Sequence, residues 1–248
     1  MIDSYSPIVI GGSGHSGTRV FSEILAQCGV FTGIRHVTKR AGSEDLNMID
    51  LLNRWVLRYV SGELTPAELA RMRREFALRL RLFFPLRNNP WGFKNPRAML
   101  ILPFLHEMFP DMKFVHVVRD GRDISLGNEF ASRNRYRSAF LTEGEMGLSA
   151  EEAMILFWGR SNQRAMEYGQ QRMQGRYLLM RWEDLCADPV RKTAELLEFA
   201  SCPVADAARV AKIVRKPKSI GRWRSFPERM WRNVHARGAP WLSAFGYR

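Results

Sequence analysis

Residues 7–19 constrain this chain more than any other stretch, because they join an apolar β-type run to a glycine-rich loop and a helix start. Pro7-Ile8-Val9-Ile10 is the run, and Gly11-Gly12-Ser13-Gly14-His15-Ser16-Gly17-Thr18-Arg19 is the loop. The spacing predicts a helix over residues 18–28, with Val20, Phe21, Ile24 and Leu25 on one face and Gly29 as its C-terminal cap. In open α/β sheets ligands sit at the carboxyl ends of the strands. Glycines let backbone N–H groups curl around an anion there, and the following helix adds free N–H groups and the positive end of its dipole. Ser16 and Thr18 offer hydroxyls to such a ligand, and Arg19 offers charge.

Further strands are predicted at residues 91–94, 113–118 and 177–180, the second being the most apolar. Helices are predicted at residues 46–60, 65–84, 96–109, from about 123, 149–173, 190–200 and 205–214. Thr65-Pro66-Ala67-Glu68 and Ser149-Ala150-Glu151-Glu152 read as capping boxes. Strands alternate with helices, and the strand runs lack in/out polarity. That combination predicts an α/β fold: one domain over residues 1–248 with a central parallel sheet flanked by helices. Residues 132–147 read as a long loop, and the Arg- and Trp-rich tail 215–248 shows no clear period.

The loop excludes two common nucleotide sites. A magnesium-dependent P-loop reads GxxxxGK[ST]. Gly12 and Gly17 keep that spacing, but Thr18 stands in place of the lysine and Arg19 in place of the magnesium-holding hydroxyl. The dinucleotide fingerprint GxGxxG is met by Gly12, Gly14 and Gly17, yet no acid-terminated strand follows at the required distance. A second constellation follows the strand at 113–118: Arg119-Asp120-Gly121-Arg122-Asp123. Asp123 is placed to cap the helix behind it, leaving Arg119 for an anion at the same sheet edge.

These segments resemble the cofactor-phosphate motifs of the sulfotransferase family, whose donor is 3′-phosphoadenosine 5′-phosphosulfate (PAPS). His15-Ser16-Gly17-Thr18 resembles the 5′-phosphosulfate loop, here 11–19, and Arg119-Asp120-Gly121-Arg122-Asp123 the 3′-phosphate turn, here 119–128. Phe93-Lys94-Asn95-Pro96-Arg97, Pro110-Asp111-Met112-Lys113-Phe114 and Met180-Arg181-Trp182-Glu183-Asp184-Leu185 resemble later family segments in the expected order. Lys216-Pro217-Lys218-Ser219-Ile220-Gly221-Arg222-Trp223 resembles the segment that closes over the cofactor.

The resemblance implies transfer of a sulfuryl group from PAPS to a hydroxyl or amine by in-line displacement without metal, leaving PAP. It implies cofactor contacts from Gly14, His15, Ser16, Gly17, Thr18, Arg19, Arg119, Ser125, Trp182, Lys216, Lys218, Ser219 and Gly221, and an essential Lys94. His15 stands where the family carries a permanent cation; either it works protonated, or Arg19 and Lys94 supply the charge. Gly127 stands where the family's 3′-phosphate serine falls, so Ser125 or Asn128 is expected to substitute. Trp182 replaces a tyrosine that lies against adenine; it either stacks there or packs in the core. The catalytic base is expected among His36, Glu44 and Asp45, with the two carboxylates preferred.

The formal net charge of +13 attracts polyanions without choosing among them. The basic loops 33–45, 85–90 and 133–148 suggest an acidic acceptor such as a glycan or glycolipid, with peripheral membrane contact through the basic surface and no nucleic-acid partner. Residues 1–6 carry no basic or long apolar stretch, and the three cysteines form no metal or disulfide pattern. A cytoplasmic, reduced setting is the expectation. A kinase-like phosphotransferase and a non-catalytic polyanion binder are the alternative functions.

Overall fold

In the computed structural model, which describes residues 6–32, 54–83, 90–126, 135–202 and 207–248, the apolar runs become four strands. They are β1 (Ile8–Gly12), β2 (Gly92–Lys94), β3 (Lys113–Val118) and β4 (Tyr177–Arg181). All pairings are parallel and the order is β2-β1-β3-β4. Successive strand residues enter opposite cores. Val9, Phe93, Phe114 and Val118 join one cluster; Ile8, Ile10, Val115 and Val117 join the other. Both faces are covered, which is why the strands carry no polar alternation.

Helix α1 (Thr18–Gln27) buries Phe21, Ile24 and Leu25, and Gly29 follows it in the left-handed conformation. Residues 54–60 are helical, matching the end of the helix expected at 46–60; residues 46–53 lie outside the described residues. In α2 (Pro66–Phe83) the capping box at Thr65 and Glu68 forms as expected. Residues 96–109 begin as a 3-10 turn, Pro96–Ile101, before α3 (Leu102–Met108). Helix α4 (Gly121–Ser125) follows β3 directly. The long α5 (Ala150–Arg172) starts at the Ser149 box and buries Ile155, Trp158 and Asn162. Then come α6 (Trp182–Ala187), α7 (Pro189–Phe199) and the short α8 (Ala207–Val210).

The tail departs from expectation. Residues 228–244 form a helix, α9 (Glu228–Ala244), with Pro240 inside it. Pro240 and Ala236, whose carbonyl the proline leaves unbonded, are both exposed, so water can satisfy that carbonyl. The other face lies on α5 at two glycines. A Cβ at Gly159 would run into the Trp241 ring, and one at Gly238 would meet Ile155 at 2.5 Å. Trp241 Nε1 donates to Gln163, and Arg237 reaches Glu152 at 2.8 Å. Within the loop expected at 132–147, residues 137–140 and 143–145 form short 3-10 turns.

Candidate active site

The loop between β1 and α1 is held from behind. Gly12 has no Cβ because the Val117 carbonyl occupies that place. Gly17 adopts φ 87°, and a Cβ there would meet the Trp182 ring at 2.6 Å. His15 takes φ 66° with a full side chain, a sparsely populated conformation that costs about 1–3 kcal/mol. The Ser16 hydroxyl donates to the Ser13 carbonyl at 2.6 Å and is fully buried, so it staples the loop instead of facing a ligand. Helix α1 has no side-chain cap at Gly17, which leaves its first N–H groups to whatever the loop encloses.

The turn after β3 is built differently from the sequence reading. Asp120, not Asp123, caps α4, accepting from the Arg122 N–H at 2.9 Å. Asp120 also takes Arg122 through both carboxylate oxygens, and the Arg122 guanidinium lies 4.0 Å from the Trp223 ring centre. Arg122 is therefore an internal clamp. Asp123 is fully buried and pins the late segment: its carboxylate accepts from the N–H of Gly221 at 2.7 Å and of Trp223 at 3.1 Å. Its backbone carbonyl accepts from Arg222 at 2.6 Å.

Arg119 sits where three segments meet. Its guanidinium donates to the His15 carbonyl at 3.3 Å, to Asp123 at 3.3 Å, and to the Ser219 carbonyl and hydroxyl at 2.5 and 3.1 Å. Its own carbonyl is held by Trp158 Nε1 at 3.0 Å. In the same turn and late segment, Arg119 Nε, Ser125 Oγ and Trp223 Nε1 are buried and meet no hydrogen-bond partner among the described residues. Below the turn, Glu183 accepts from the Asp120 N–H at 3.0 Å and from the Tyr247 hydroxyl at 2.9 Å; burial pushes its carboxyl above the usual range. Burial also pushes the Cys186 thiol up to about 11, which keeps it protonated and inert at neutral pH.

A cavity of about 480 Å³ opens at the carboxyl ends of β1 and β2. Gly14, His15, Gly17, Thr18 and Arg19 line it from the loop, Lys94 from the end of β2, and Arg97 and Tyr136 from the facing wall. The Arg97 guanidinium stacks 5.6 Å from the Tyr136 ring centre. No carboxylate is among its described lining residues. Of the remaining sequence candidates, Ser219 and Gly221 gather at Arg119 and Asp123, while Lys216 and Lys218 are exposed and do not line the cavity. Trp182 is 4% exposed and packs behind Gly17 and against Phe21; its surroundings match the core alternative rather than a stacking face. His36, Glu44, Asp45, Gly127 and Asn128 lie outside the described residues.

Sequence reasoning missed the pinning role of Asp123, the cavity wall at Arg97 and Tyr136, and the C-terminal contact at Glu183. Arg97 carried a signal, since it closes the Lys94-Asn95-Pro96-Arg97 segment, and Tyr136 falls in the basic loop 133–148; the roles of Asp123 and Glu183 depend on contacts far apart in the chain.

Residues 7–206 match the model of the Sulfotransferase family. The chain belongs to the sulfotransferase family. It is 26% identical to Carbohydrate sulfotransferase 3 of Mus musculus over 169 residues, which is 59% of this chain and 36% of that protein. It is likewise 26% identical to Carbohydrate sulfotransferase 3 of Homo sapiens over 162 residues, 56% of this chain and 34% of that protein. This sulfotransferase chain thus spans about a third of the length of the curated relatives it matches. Its fold is that of sulfotransferase STF9 from Mycobacterium avium, with TM-score 0.64 and 14% identity over 99% of this chain and 78% of that one. The sulfotransferase domain of the Synechococcus PCC 7002 olefin synthase gives TM-score 0.61 and 18% identity, over 99% and 97% of the two chains. Retinol dehydratase, solved with androsterone and the inactive cofactor PAP, gives TM-score 0.51 and 15% identity over 100% and 84%. The family match ends at residue 206, so the segment pinned by Asp123 and the helix α9 lie beyond it.

Proposed function

We propose that this sulfotransferase takes its sulfuryl group from PAPS and delivers it to a hydroxyl of an anionic carbohydrate acceptor. The observation that carries the reading is Arg119, one guanidinium touching the loop, the turn and the late segment together. The residues present fit PAPS. The open start of α1 suits the 5′-phosphate end, and Arg119 Nε and Ser125 Oγ, buried and without a partner among the described residues, are donors suited to the 3′-phosphate.

When bound, PAPS supplies an activated sulfuryl group: the acceptor oxygen forms a new O–S bond as the S–O bond to phosphate breaks, the electron pair leaving with the phosphate. Lys94, buried at the end of β2 and lining the cavity, holds positive charge where the leaving oxygen gathers negative charge. Arg19 adds to that field from the loop, and His15 lines the same cavity. The acceptor proton goes to a base, for which Asp45, Glu44 and His36 remain the candidates. Arg97 and Arg19, on a cavity whose described lining has no carboxylate, favour an acceptor that itself carries negative charge. The 26% identity to a carbohydrate sulfotransferase supports a sugar as its framework.

Incubation with sulfur-labelled PAPS and a panel of neutral and acidic polysaccharides tests this. Label should move to an acidic polysaccharide, and EDTA should leave the rate unchanged, since Arg19 replaces the hydroxyl that would hold magnesium. Label on none of them, with phosphate moving from ATP–magnesium instead, overturns the reading.

A further inference from the structure

A buried polar chain runs from the sheet to the loop, and its direction can be read atom by atom. Asn162 lies inside α5 and is fully buried. One of its side-chain atoms is 2.6 Å from the Trp158 carbonyl, which can only accept, so that atom is Nδ2. The second hydrogen of Nδ2 points at Ser13 Oγ, 3.0 Å away. Oδ1 therefore faces His116 Nε2 at 2.9 Å, and His116 must donate there. Its Nδ1 is left bare and accepts from the Tyr177 hydroxyl at 2.6 Å. Burial holds the imidazole down at about 4 and pushes the Tyr177 phenol up, so both stay neutral at pH 7 and the direction is fixed.

From Tyr177 through His116 and Asn162 to Ser13, each successive link donates toward the loop. Ser13 is 2% exposed, its oxygen already accepts from Asn162, and its one proton meets no acceptor among the described residues. Ser13 also lines the 480 Å³ cavity. We infer that Ser13 is a further ligand-contacting residue, donating its hydroxyl proton to a phosphate oxygen enclosed by the loop, with Asn162 and His116 as the positioning residues that turn it that way. Without the Asn162 amide, the hydroxyl would be free to rotate and to accept from loop N–H groups. The inference rests on the PAPS reading, in which the loop faces the 5′-phosphate.

The test is calorimetric titration of PAP into the full chain and its variants. Ser13→Ala removes one oxygen and adds no volume, and it should weaken PAP roughly tenfold, the scale of a lost hydrogen bond to a charged group. Asn162→Asp puts an acceptor where the donor was and draws the Ser13 proton away from the cavity; it should weaken PAP to a similar degree. The double variant should bind no worse than Ser13→Ala, because Asn162 acts through Ser13. A purely structural Asn162 would weaken PAP equally in both backgrounds, and that result overturns the positioning role. Should Asn162→Asp fail to fold, Asn162→Ala makes the same comparison. Wild-type binding of PAP with unchanged affinity in Ser13→Ala overturns the Ser13 assignment alone. Folded wild-type protein that binds no PAP overturns the PAPS reading and this inference with it.

Discussion

Arg119 and Lys94 both end parallel strands at one sheet edge, yet their surroundings give them separate work. Arg119 is tied to the loop, to Asp123 and to Ser219, so its removal should unmake the anion cradle. Lys94 lines the cavity itself. Lys94→Ala should therefore keep PAP binding and lose at least a hundredfold in turnover, the scale of a lost charge-stabilising donor. Arg119→Ala should lose PAP affinity first. Titration and turnover measured side by side check the split, and equal effects on both would contradict it. His116 carries a pH prediction. Its unfolded value is about 6.5 and the fold holds it at about 4. Between those values the unfolded chain binds a proton that the folded chain refuses. Stability is thus unaffected above about pH 6.5 and falls below it, by about 1.4 kcal/mol per pH unit. Urea unfolding of wild type and His116→Gln between pH 6.5 and 5 checks this. The variant should show the flatter profile, in a window above that in which Glu68 and Glu145, both held near 2, protonate.

At the scale of elements, the late segment is fixed by Asp123 more than by its own sequence. Asp123→Ala leaves the N–H groups of Gly221 and Trp223 without their acceptor and should cost roughly 3 kcal/mol. Amide exchange at those two residues should accelerate while exchange in β3 changes only with global stability. Equal acceleration in both would show the segment held by something else. What the sequence disclosed at this scale follows a physical pattern. Strands β1 and β3 were legible because they are short and apolar and run into the glycine-rich loop or Arg119; β1 continues through Gly11 and Gly12, which the sequence placed in the loop. Helices α2 and α5 were legible because Thr65 and Ser149 write their capping boxes locally. Helix α9 was not, because Pro240 and Gly238 argue against a helix unless α5 is known to lie alongside. Its signal was the spacing of Trp231, Val234, Gly238 and Leu242, which share one helical face. The role of Asp123 was hidden for a related reason: as a cap it would act on its own helix, whereas it acts on residues 98 and 100 positions away.

At the scale of the molecule, the net charge of +13 is unevenly committed. The basic helix α2 spends much of its charge locally: Arg71 pairs with Glu75, Arg73 with Glu107, and Glu68 takes Arg58. That matches a solvated helix face better than a polyanion-binding surface. Around the cavity, Arg19 and Arg97 meet no carboxylate among the described lining residues. The candidate site was therefore legible as a loop and a turn, but the pairing of Arg97 with Tyr136 on the cavity wall was not, since the two come together only in the fold. No helix among the described residues is long and apolar enough to cross a membrane.

If the loop and the Arg119 turn together form a PAP site, thermal unfolding with added nucleotide reports it. At a hundredfold excess over its dissociation constant, PAP should stabilise the folded chain by about 2.7 kcal/mol and raise the midpoint by several degrees. ATP–magnesium at the same concentration should raise it much less. A midpoint unmoved by PAP and raised by ATP–magnesium would rule out a PAP site there.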